Sequence, residues 1–215
     1  MKPHYIHKLI AQGEHQQLDF KFEIADSRKI AKTFVAFANT DGGRLLIGVK
    51  DNGVIAGVRS EEEKYMAEAA ARMYSSPNVK FDYKEWMVDG KKVLEVAIPK
   101  GNERPYYAHN EEDKWRVYIR VKDQNILANK VLINAWKRKA RPEGTYVNYT
   151  DKEKLILEYL EENDTITLSK FRKIAKISAY KAENILTNFL VLDIIEIEIS
   201  EKQVLYKLSK SFEEL

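Results

Sequence analysis

The sequence predicts an α+β protein in two domains, and three observations carry the prediction. Short runs that alternate apolar and polar residues, such as LDFKFEI at 18–24, have the period of half-buried strands. Longer runs, such as IAKTFVAFAN at 30–39, repeat apolar residues at helical spacing. Past a turn-rich stretch at 138–150 the charge balance changes sign: residues 1–149 carry a net +6, residues 150–215 a net −3.

Taken in order, HYIHKLIAQGE (4–14) reads as a short amphipathic helix with Ile6, Leu9 and Ile10 on one face, ended by Gly13. Leu18, Phe20 and Phe22 alternate with Asp19, Lys21 and Glu23 in a strand. Ser27 is placed to cap a helix to Asn39, with Ile30, Phe34, Phe37 and Ala38 as its apolar stripe. RLLIGV (44–49) and VIAGV (54–58) flank Asp51-Asn52-Gly53, a hairpin turn because Asn-Gly readily takes positive φ. A helix at 61–76 is closed by Pro77, and Asp89-Gly90 joins strands 79–88 and 91–99. KWRVYIRV (114–121) reads as a strand and NILANKVLINAWKRKA (125–140) as a helix. These elements assign 1–141 to a first domain with a mixed sheet and flanking helices, 142–149 to a linker and 150–215 to a second domain.

The second domain has its own rhythm. TDKEKLILEYLEEN (150–163) is a helix opened by Thr150 and Glu153 as a capping box. A short TIT, a helix at 168–176, a turn at Ile177-Ser178, a helix at 179–193 and a closing hairpin at 194–209 follow. Helix, short strand, helix, helix, two-stranded wing is the order of a winged helix-turn-helix.

AFANTDGGRLLIGVKDNGVIAG (36–57) is the most distinctive stretch. An anion-cradling loop needs a helix N-terminus beside its glycines, but here a helix ends at Gly42-Gly43 and a strand follows. No G-x-x-x-x-G-K-[ST] occurs, so the glycines read as a helix stop and a sharp corner. Together with GEHQQLDFK (13–21) and WRVYIRVKDQNILAN (115–129), the stretch resembles the Schlafen-like AlbA_2 family of bacterial DNA-binding domains, often fused to a helix-turn-helix and described as transcriptional regulators. The resemblance spans about residues 10–130. In the Schlafen branch it implies an endoribonuclease site of acids beside a lysine, which maps onto Glu14, Asp19, Lys21 and Asp51. Three carboxylates of this kind, Glu14, Asp19 and Asp51, would hold Mg²⁺ or Mn²⁺ through oxygen ligands, and Lys21 would steady a phosphate. Asp51 has an alternative role as the first residue of its turn. Glu14 has one as a solvated residue past a helix end. The family's usual glycine after YIRV is Lys122 here.

For nucleic-acid contact the first domain offers cations beside aromatics: Arg104, Lys114, Arg116, Tyr118, Arg120 and Lys122, with Tyr106, Tyr107 and Trp115. Period-two spacing expects Lys114, Arg116, Tyr118 and Arg120 on one strand face, which is either a phosphate-binding face or an ordinary solvated one. In the second domain Lys170, Arg172, Lys173 and Lys176 form a cluster before the expected recognition helix, where Tyr180, Lys181, Asn184 and Thr187 could contact DNA. A partner-docking role for this module stands as the alternative. Lys137, Arg138, Lys139 and Arg141 add a basic group at the junction. His4, His7 and His109 carry no metal-ligand pattern.

Composition narrows the classes. The 44% apolar and 32% charged fractions belong to a folded globular chain. No run is long and apolar enough for a membrane helix, no signal peptide opens the chain and no cysteine is present, so a cytoplasmic protein with no membrane partner is expected. The function expected first is DNA (or RNA) binding, as a transcriptional regulator acting as a homodimer without a cofactor. A metal-dependent endoribonuclease is the alternative, and a non-catalytic regulatory protein the third reading.

Overall fold

The computed structural model describes residues 4–58, 61–141 and 149–213, which fall into two compact units, Met1–Leu127 and Ala128–Leu215. The first unit contains α1 (Tyr5–Ile10), β1 (Leu18–Lys21), α2 (Ser27–Asn39), β2 (Gly43–Ile47), α3 (Glu62–Arg72), β3 (Ser75–Ser76), β4 (Asp82–Val88), β5 (Lys91–Ile98), β6 (Tyr107–His109), β7 (Trp115–Arg116), β8 (Tyr118–Val121) and β9 (Gln124–Leu127). The second contains α4 (Lys130–Lys139), α5 (Asp151–Glu162), α6 (Leu168–Ala175), α7 (Ala179–Val191), β10 (Ile195–Ile199), β11 (Val204–Leu208) and α8 (Lys210–Glu213).

The first unit is built on a four-stranded sheet of order β1-β2-β5-β4, with β1 and β2 parallel and the other pairs antiparallel. A parallel pair needs a crossover, and α2 supplies it. Strand alternation sends Leu45, Ile47, Leu94 and Val96 into a core with α2 and α3. The intervening Leu46 and Val93 join Leu18, Phe20 and Ile6 on the opposite face. α2 is buried on more than the expected stripe, because Ala108 of β6 and Tyr118 of β8 share its core. Its cap is Asp26, whose side chain accepts from the Arg28 N–H, and not Ser27.

Residues 36–43 form the corner that the glycines foretold. The Gly42 N–H donates to the Phe37 carbonyl at 2.9 Å with φ +71°. A Cβ on Gly42 would stand 2.7 Å from the Ile98 oxygen, and one on Gly43 2.5 Å from the Phe37 ring. Only glycines let the helix end and the strand start so close to β5. Asn39, 1% exposed, donates to the Tyr106 and Tyr118 carbonyls and accepts from the Tyr106 N–H, tying α2 to β6 and β8. Thr40 Oγ1 accepts from the Arg120 N–H.

Several elements depart from the expected ones. The strand expected at 54–58 is reduced to an isolated bridge of Ile55 with Val49. α3 stops at Arg72, and Ser75–Ser76, expected as helix, pairs with Ala108 and Tyr107 of β6. The strand expected at 114–121 breaks at Val117, so β7 pairs with β6 while β8 pairs with β9. Gln124–Leu127, expected as the start of a helix, is that partner strand, and Asn129 caps α4 instead.

In the second unit, helix α5, a bridge between Ile166 and Tyr206, helices α6 and α7 and the β10–β11 hairpin follow in the expected order. Thr150 and Glu153 make the capping box. Lys176, at φ 52°, takes the left-handed turn that separates α6 from α7. α4, placed with the first domain by sequence, packs here: Val131 joins the core of Ile156, Phe171 and Leu186. The Arg138 guanidinium donates to Asn184 Oδ1 (2.7 Å) and Asn188 Oδ1 of α7, and Lys139 pairs with Asp193 at 2.7 Å.

Candidate functional site

Glu14, Asp19 and Lys21 meet, because the chain doubles back after α1. Glu14 Oε1 accepts from the Phe20 N–H at 2.8 Å, which brings its carboxyl over β1. Asp19 is 3% exposed and lies between two cations. Arg120 Nη2 donates to Asp19 Oδ1 at 3.3 Å, and Lys21 Nζ stands 3.1 Å from Oδ2 while donating to the Phe20 carbonyl at 2.7 Å. Oδ2 itself has no donor with hydrogen-bond geometry. The Glu14 carboxyl is pushed up to about 7, first by burial and then by its interaction with the Asp19 carboxyl. The Phe20 N–H and the Lys21 charge oppose the shift.

Asp51 is not drawn into this group. It lies exposed in the hairpin turn, where the Lys50 N–H donates to Val54 and the Gly53 N–H to Lys50. Among the described residues no set of three His, Cys, Asp or Glu side chains is placed to hold a metal ion. The residues present therefore do not fit the three-carboxylate metal site that the resemblance implied. Asp19 already has two cationic neighbours, and a third ligand is missing.

The expected cationic strand face does not form. The break at Val117 leaves Arg116 exposed, whereas Tyr118 is 9% and Arg120 2% exposed. Arg120 cannot reach a phosphate. Its guanidinium donates to the carbonyls of His15, Leu18 and Lys122 and to Asn125 Oδ1, besides Asp19. Sequence spacing missed this because it assumed one unbroken strand. Lys122 stands at φ 56°, a left-handed conformation that glycine adopts more easily, and its N–H donates to Gln16 Oε1 at 2.8 Å. Lys114 pairs with Glu112, and Arg104 lies in the loop before β6. His4 is the N-cap of α1, and the His7 imidazole stands 3.1 Å from Asp89. His109 packs against Trp115.

In the second unit Lys170, Arg172, Lys173 and Lys176 are all exposed, and none has an ion partner among the described residues. At 100° per residue Lys170, Arg172 and Lys173 cover an arc of about 160°, opposite the buried Phe171 and Ala175, and Lys176 follows in the left-handed turn at the helix end. Tyr180 (76% exposed) and Lys181 are exposed at the start of α7, where Ser178 caps the helix. Further along α7 the expected base contacts are reduced: Thr187 is 0% exposed and donates to the Glu183 carbonyl, and the half-buried Asn184 has its Oδ1 held by Arg138. Acidic Glu196 and Glu198 of the hairpin are partly neutralised by Lys207.

Among the solved structures that resemble the chain, two match at low identity as follows. The DIP2311 protein from Corynebacterium diphtheriae matches at 22% identity and TM-score 0.45, covering 57% of this chain and 28% of its own. The N-terminal domain of an ATP-dependent DNA helicase RecG-related protein from Nitrosomonas europaea matches at 20% identity and TM-score 0.40, covering 60% of this chain and 97% of its own. The chain thus spans under a third of the DIP2311 protein. No curated protein matches it. The family model described as "Schlafen, AlbA_2" matches residues 14–129, which is the first unit from Glu14 to the cap of α4. On that match, over half of its length, the chain belongs to the Schlafen, AlbA_2 family.

Proposed function

We propose that this is a nucleic-acid-binding protein, and specifically a DNA-binding transcriptional regulator whose second unit is a winged helix-turn-helix. The observation that carries the reading is the run of free cations along α6 and at its C-cap, Lys176. Cations left unpaired along one helical arc keep their full charge for phosphates, and phosphate neutralisation supplies most of DNA affinity. With Asn184 tied to Arg138 and Thr187 buried, this unit grips the backbone and leaves base reading to Tyr180 and Lys181. Pairing with a second copy would present two such surfaces to two half-sites. The reading needs no cofactor and fits a cytoplasmic protein. No helix of the described residues is long and apolar enough to cross a membrane.

The test is duplex-DNA binding by anisotropy at about 50 mM salt, where phosphate contacts are strongest. Replacing Lys170, Arg172, Lys173 and Lys176 by Ala is expected to weaken binding by more than tenfold on mixed sequences. Wild-type protein that binds no duplex at this salt overturns the reading. The meeting of Glu14, Asp19 and Lys21 favours a second reading, an endoribonuclease, but that reading lacks its third carboxylate. RNA cleavage with Mg²⁺ or Mn²⁺ that is lost in both Glu14→Gln and Asp19→Asn would establish it instead.

A further inference from the structure

The first unit carries a series of rings that begins at Arg28. Arg28 Cζ lies 5.5 Å from the Tyr74 ring centroid, and Tyr74 stacks on His109 at 6.3 Å with planes 20° apart. His109 packs against Trp115 at 5.0 Å and 55°. The series ends there. Trp115 is 47% exposed, is the one large hydrophobic residue exposed in the β6–β7 hairpin, and has no ring or cation partner besides His109 among the described residues. β7 is also the edge strand of its sheet, so no neighbouring strand covers the tryptophan.

The support beneath Trp115 is fixed. His109 and Trp115 are a cross-strand pair, and the His109 N–H donates to the Tyr74 carbonyl at 2.9 Å. The loop between them closes on Asn110, 8% exposed, whose side chain accepts from the Glu112 and Lys114 N–H groups. The loop's acids are each matched: Glu111 by Lys32 at 2.6 Å, Glu112 by Lys114 at 3.1 Å and Asp113 by Arg28 at 3.5 Å. Arg116, next in the strand and on its opposite face, is exposed and has no ion partner among the described residues.

The geometry points to a base-stacking platform for single-stranded nucleic acid, with Trp115 receiving a base. A half-exposed indole held from behind by His109 suits a flat ring of similar size, and every nucleobase offers one. A base within a duplex is stacked on both sides and cannot reach it, so the ligand is single-stranded and its sequence matters little. A lone tryptophan ringed by charge is a poor protein-docking patch, which needs a wider apolar area. The site is separate from the α6 surface and stands whether or not that surface binds duplex DNA.

The experiment uses the full chain with the four α6 cations replaced by Ala, so that the first unit is read alone. Two probes are titrated: an oligothymidine of about 12 nucleotides and an abasic oligonucleotide of the same length, which keeps the phosphates and lacks the bases. Trp115→Ala is expected to weaken oligothymidine binding by roughly 5- to 150-fold, the loss of one stacked base, and to leave abasic binding unchanged. Trp115→Phe is expected to recover most of the loss. Equal losses for both probes, or no loss for either, overturn the platform. Absence of oligothymidine binding by the parent chain also overturns it and leaves Trp115 to a protein partner.

Discussion

A guanidinium with 1% of its side chain exposed, as in Arg120, is tolerable only when its N–H groups find acceptors. Here they reach Asp19, Asn125 and three carbonyls, while the group lies 5.3 Å from the Phe37 centroid. Removing it leaves Asp19 with its charge in the interior and Lys21 as its only cation. Arg120→Ala is therefore expected to destabilise the first unit by about 3–5 kcal/mol, read from the shift of the urea midpoint. A loss below about 1 kcal/mol would mean that the pair behaves as a surface ion pair. Glu14 gives a pH signature. It keeps its proton to about 7 in the fold against an ordinary 4.5, so between those values the folded state binds more protons than the unfolded one. Its contribution is complete below pH 4.5 and is lost as pH rises to about 7. Urea midpoints across this window are expected to fall less steeply in Glu14→Gln; an identical slope would show that Glu14 titrates normally.

At the scale of elements, the pieces that hold the corner were legible and the pieces decided by tertiary pairing were not. Gly42-Gly43 read as a corner because helix-then-glycine order has one physical meaning, and the Asp89-Gly90 hairpin followed from turn chemistry. Ser75–Ser76 could not be told from a helix end, since its strand character comes from β6, more than thirty residues away. Arg120 was misplaced for the same reason: alternation predicts a face, but the break at Val117 reassigns which face is solvent. α4 shows the limit most clearly. Its amphipathic pattern declared a helix, yet only the packing of Val131 and the bonds from Arg138 to Asn184 and Asn188 reveal the partner. A fragment of residues 128–215 is accordingly expected to melt cooperatively. A fragment of residues 142–215, deprived of α4, is expected to melt at least 5 °C lower, as follows from losing about 1 kcal/mol or more in a small domain. Equal melting temperatures would show that α4 is dispensable to the second unit.

For the molecule as a whole, the two units divide the chemistry differently from the charge totals. The first 149 residues are the basic part by count, yet several of their cations are committed to acids of the same unit: Lys64 and Lys92 to Glu61 and Glu85, Lys32 to Glu111, Arg120 to Asp19. The second part is acidic by count but keeps four free cations along α6. Net charge reported the sum, and binding depends on the arrangement. The acid cluster divides likewise: Glu14, Asp19 and Lys21 were legible as a set from spacing within the family motif, while the separation of Asp51 depends on where the 50–54 turn projects. The central claim, that free cations on α6 grip DNA phosphates, is tested most directly by the salt dependence of duplex affinity. Plotting log K against log salt for the wild-type chain and for the four-fold α6 alanine variant is expected to give a slope shallower by about 3 to 4 in the variant, near one unit per phosphate contact removed. Parallel lines of equal slope would contradict the account.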